Sequence, residues 1–137
     1  GAAVGAKTVI ETLPGMFPLA CSSRLNDLFV ENIKEYFPET KIEEAGHFTA
    51  STDMGDISHL MPSIHPFIGG VDGGLHTRDF CVTDFDAAAI LPGKVFAMNI
   101  IDLLYDEAAM AKEILEKEKP ILTKEEYLAK MESYFRS

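Results

Sequence analysis

Between Ser51 and Phe80 the chain reads STDMGDISHLMPSIHPFIGGVDGGLHTRDF, which sets Ser51, Thr52, Asp53, His59, His65 and His76 in close order. Side chains of these types can hold a divalent ion or orient a polar substrate. A neutral imidazole nitrogen suits a zinc-type ion at about 2.0 to 2.1 Å, while hydroxyls and carboxylates bind polar groups. His76 comes directly after Gly69-Gly70-Val71-Asp72-Gly73-Gly74-Leu75, and glycines give the backbone the freedom needed to aim a ring. The stretch reads as one wall of an active site. A phosphate-binding reading of the glycines has little support, because the G-K-[ST] ending is absent and no helix is expected to open there.

The same residues have ordinary alternatives. Histidines serve as satisfied polar groups in cores and loops, so His59 and His65 fit a ring bonded to backbone as well as a pocket wall. Asp53 can cap a helix, line a pocket, or do both. His47 belongs to no motif.

The run Ser51-Thr52-Asp53-Met54-Gly55-Asp56, then Ser58-His59, Pro62-Ser63-Ile64-His65-Pro66 and Leu75-His76-Thr77, resembles the C-terminal catalytic segment of the acetylornithine deacetylase, aminoacylase and carboxypeptidase G metallohydrolases. Within that family it is most similar to the branch of aminobenzoyl-glutamate utilisation proteins and β-alanyl-lysine-type dipeptidases. The likeness covers essentially the whole chain, the last third only as a helical pattern. Many members carry Ser-Glu-Asp-Phe where this chain has Ser51-Thr52-Asp53-Met54, a departure that fits the narrower branch and leaves the pocket chemistry open.

The resemblance implies an α/β fold: part of a zinc-exopeptidase-like catalytic domain, a mixed sheet flanked by helices, over residues 20–137. Residues 1–19 would be a remnant lid-domain strand and crossover. It implies metal-dependent hydrolysis of an amide bond in a small N-acyl amino acid or dipeptide. Two divalent ions, zinc or manganese, would polarise the amide carbonyl and lower the pKa of a bridging water. His76 would be a metal ligand; Ser51, Thr52, Asp53, His59 and His65 would shape the pocket. The remaining ligands and the general-base glutamate are expected upstream, so the chain is expected to be a C-terminal piece, inactive in isolation. The alternative is a binding or oligomerisation module derived from that fold without its metal chemistry.

A chain of 137 residues with 47% apolar content and nine Phe is enough for one domain with a core. Its formal charge of −10, from 22 acidic and 12 basic residues, repels phosphate backbones and anionic membranes, so neither nucleic acid nor a membrane is an expected partner. No run of eighteen apolar residues suggests a span. Cys21 and Cys81 lie outside any C-x-x-C pattern and are expected to be buried reduced thiols, which favours a cytoplasmic setting. The opening Gly1-Ala2-Ala3, with neither Met nor basic residues, suits a cloning scar or an excised fragment better than a signal peptide.

The positioning elements follow from pattern. Val4 to Leu13 is β-branched and ends at Pro14-Gly15, which predicts a strand, and its unpaired edge would favour a homo-oligomer. Ser22 or Ser23 should cap a helix to about Phe37, with Leu25, Leu28, Phe29, Ile33, Tyr36 and Phe37 on one face and Pro38 as its stop. Lys41 to Glu44 suits an edge strand, Asp53 the cap of a short helix ending before Pro62, and Ser63 to Ile68 a buried strand. Thr83 or Asp84 should open a long apolar helix sandwiched against a sheet; an interior Pro92 conflicts with it, so either the helix kinks there, the favoured reading, or the main helix starts near Pro92. Asp106 to Lys119 continues as a charged helix, and Thr123-Lys124-Glu125-Glu126 is a capping box for a final packing helix.

Overall fold

The computed structural model describes every residue except Thr12, Pro14, Ala45, His47, Phe48, Thr49, Arg136 and Ser137. His47 and parts of the first expected strand therefore lie outside the described residues. The architecture is mixed and helix-rich: helices α1 (Ser23–Tyr36), α2 (Met54–Leu60), α3 (Leu91–Lys117) and α4 (Lys124–Phe135), with a two-stranded sheet of β1 (Val71–Asp72) and β2 (Cys81–Val82).

Helix α1 begins and ends where its sequence dictates. The Ser22 hydroxyl accepts from Leu25 N at 3.1 Å, satisfying an otherwise orphaned donor, and Pro38 follows the last turn. Its apolar stripe places Phe29 and Ile33 against Val95 of α3, with Phe37, Ile64 and Leu91 packed around them. Val95 is 0% exposed, and the Phe29 and Phe96 rings lie 5.3 Å apart in a tilted pair. Beside this core Asn32 Nδ2 donates to Asn99 Oδ1 and to Asp102 Oδ2, both at 2.8 Å. The polar groups that α1 and α3 bury are thereby paired.

The start of α3 resolves the conflict around Pro92. The Asp84 carboxylate accepts from Ala87 N at 3.0 Å, one wide π turn covers Asp86–Ile90, and Pro92 then falls in the first turn of the main helix, where its missing N–H costs nothing. Of the two readings of Pro92, the favoured kink fails and the start of the main helix near it holds. The real break comes later, at Tyr105–Ala108, where Asp106, Glu107 and Ala108 have φ of 49°, 56° and 61°.

Several expectations are overturned. Ala2–Val4 form a 3-10 turn, and the described residues from Gly5 to Leu13 pair with no strand. Lys41 to Glu44 and Ser63 to Ile68 are not strands either, although Ser63 O accepts from Ser22 N at 2.8 Å. Strand-forming side chains need a partner edge to make a strand, and none is offered among the described residues. Cys21 and Cys81 are free, as expected, but exposed rather than buried. Helix α4 packs through Tyr127 and Lys130 against Phe17 and Asp56, but it buries no residue fully and leaves Leu128 and Phe135 exposed.

Among the described residues helix α3 packs chiefly against α1 and is not sandwiched against a sheet. Phe96, Ile100, Ile101, Leu104 and Tyr105 stay exposed. The helical stretch Asp86–Lys117, whose most apolar 18-residue window has mean hydropathy 1.6, is long and apolar enough by composition to cross a membrane. The chain exposes 10563 Å², against ~7,100 Å² for a compact monomer of its mass. Its own core covers too little of its apolar surface.

Candidate functional site

The hairpin formed by β1 and β2 carries His76. Val71 pairs with Val82 and Asp72 with Cys81 in antiparallel register, so the expected glycine loop contains a strand. Two glycines close the structure. Gly70 has φ 84°, and its carbonyl accepts from Thr83 N and Asp84 N at 2.9 and 3.1 Å. Gly73 has φ 83° and lies so near the Asp79–Phe80 backbone that a Cβ would collide with it. At the tip the Thr77 hydroxyl is shared between the Gly74 carbonyl, at 2.6 Å, and the Asp79 carboxylate. That hydroxyl, helped by backbone N–H, holds the Asp79 carboxyl below the usual carboxylate range.

His76 sits on this tip, exposed, with φ 62°. Left-handed backbone costs a residue with a side chain about 1–2 kcal/mol, and such outliers concentrate at ligand-holding positions. Among the described residues its ring makes no hydrogen bond or ion pair.

The expected pocket wall is built differently. Asp53 has helical φ and ψ, −60° and −20°, and its side chain caps nothing; Thr52 Oγ1 instead accepts from Met54 N at 3.3 Å. Asp53 thus stands at the expected N-cap position, where its carbonyl accepts from Asp56 N at 3.1 Å, but its side chain does not do the capping. Ser51 is exposed and Thr52 half-buried on the same turn.

His59 adopts one of its ordinary alternatives. Its Nδ1 lies 2.9 Å from Gly55 O, and its ring stacks on Phe17 with centroids 4.8 Å apart. A carbonyl can only accept, so Nδ1 carries the proton and a neutral ring keeps its lone pair on Nε2. His65 differs: its Nδ1 is buried without a partner among the described residues, beside the Phe67 ring at 5.5 Å.

Sequence patterns did not single out Asp56. Its Oδ1 accepts from Phe17 N at 2.8 Å and its Oδ2 from Tyr127 OH at 3.1 Å, which ties α2 to the incoming chain and to α4. Its place inside the Ser51 to Asp56 run was the available signal. Ser58 adds a second tie, accepting from Ala20 N at 3.0 Å and donating to Gly55 O at 2.7 Å. Between these segments and the end of α3 lies an open cleft of about 310 Å³, lined by Cys21, Ser22, Ser58, Met61, Glu118 and Lys119 among others; none of the expected site residues lines it.

The Ser51–Asp53 turn and His59 stand at the two ends of α2, His65 lies on the connecting segment, and His76 stands on the separate hairpin. Among the described residues no three His, Cys, Asp or Glu side chains are gathered closely enough to hold a metal ion. His76 with its present neighbours does not by itself fit a metal centre. No protein-family model, curated protein or solved structure matches the chain.

Proposed function

We propose that this chain works as the C-terminal part of a metal-dependent amidohydrolase acting on a small N-acyl amino acid or dipeptide, its fold a partial zinc-exopeptidase-like catalytic domain. His76 is the residue proposed to reach a metal, zinc or manganese, whose other ligands and general-base glutamate come from polypeptide outside these residues. Ser51, Thr52, Asp53, His59 and His65 are the proposed pocket side chains. The observation that carries the reading is the ordered Ser51-to-His76 run together with the hairpin that holds His76 outward on a left-handed residue. Two further features support it. The buried Nδ1 of His65 lacks a partner among the described residues, and an unmade bond at a buried polar atom costs about 1–3 kcal/mol unless something else supplies it. The surface excess over a compact monomer is of the size that further polypeptide would cover.

A second reading, a non-catalytic binding or oligomerisation module of the same origin, is favoured by the open apolar side of α3. One experiment separates the two. The intact polypeptide that contains these residues, and its His76→Ala variant, are assayed for metal by elemental analysis and for hydrolysis of a panel of N-acyl amino acids and dipeptides. Bound metal and activity, with activity and part of the metal lost in the variant, support the hydrolase. A metal-free, inactive polypeptide, or a variant identical to the parent, sinks it and leaves the binding module.

A further inference from the structure

We draw no further inference here: the strongest candidate, the outward apolar face of α3 formed by Phe96, Ile100, Ile101, Leu104 and Tyr105, carries nothing because no feature of the structure shows what covers it.

Discussion

Asp56 and Tyr127, 71 residues apart in sequence, meet through a 3.1 Å hydrogen bond in which the phenol donates to the carboxylate. The other carboxylate oxygen holds Phe17 N, so one side chain joins three segments that share no sheet or common helix pair. Asp56→Ala is expected to lower the thermal midpoint followed by circular dichroism more than Tyr127→Phe, since it frees two donors instead of one acceptor. Equal effects would remove Asp56 from this bridging role.

The same bond has an alkaline signature. Partial burial, and then the Asp56 hydrogen bond and charge, push the Tyr127 phenol above its ordinary value. A pKa raised in the folded state gives stability that is fully present below the unfolded tyrosine value and is lost as pH rises through the folded one. Phenolate absorbance should therefore show late-titrating tyrosine, reduced in Tyr127→Phe; Tyr36 is raised as well, chiefly by Glu35, and should remain.

Gly55→Ala tests the crossing over α2. Helix propensity alone favours alanine by about 1 kcal/mol, yet a Cβ at Gly55 would run into the Phe17 carbonyl, which is backbone and cannot swing aside. The variant should be less stable than the parent in urea unfolding. A gain in stability would show that the Phe17–Pro18 segment does not lie on α2.

Asn32→Ala leaves Asn99 Oδ1 and Asp102 Oδ2 without their shared donor at the α1–α3 contact. An unpaired buried acceptor costs about 1–3 kcal/mol, so a loss of about 2 kcal/mol in urea unfolding is the expected result. A change within a few tenths would mean that water replaces the amide.

The α4 capping box should respond to acid. Glu126 accepts from Thr123 N at 2.8 Å and from the Thr123 hydroxyl at 2.9 Å, and these bonds, the backbone one first, hold its carboxyl below the ordinary value. A depressed pKa gives stability present above the unfolded glutamate value and lost as pH falls through the folded one. Helicity should drop across that acid window in the parent, and the drop should shrink in Glu126→Gln.

His76→Gly separates strain from ligation. Glycine adopts φ 62° freely, so the hairpin should gain up to about 1 kcal/mol once glycine's extra chain entropy is deducted. Amide exchange at Thr83, whose N–H donates to the Gly70 carbonyl, would report it as slower opening. Faster exchange would show that the imidazole stabilises the tip and is not strained there.

Local chemistry was legible in the sequence wherever it was self-contained. Ser22 and Pro38 bound α1, and Thr123 and Glu126 cap α4, through contacts a few residues apart. Two glycines, Gly70 and Gly73, do adopt the left-handed angles expected of the loop. What failed depended on partners far away in the chain. Among the described residues the β-branched run from Val4 pairs with no edge, and Asp56 finds its donors 39 and 71 residues away. The break at Tyr105–Ala108 gave no warning, because Asp-Glu-Ala carries neither proline nor glycine. At the site, the Ser51–Asp53 turn and α2 were foreseeable, while the bond that orients His59 to Gly55 was one of two open alternatives.

The hairpin under His76 has strands of only two residues, both exposed. A lone two-stranded hairpin is marginal in water, and such units open locally at little free-energy cost. Any ion or substrate taken up at its tip must therefore first supply the ordering free energy of the turn, which weakens apparent affinity by the fraction of time the tip is closed. Covering the hairpin with further polypeptide would remove that penalty without touching a single ligand atom. Affinity at the tip would then be a readout of how completely the surrounding fold has assembled.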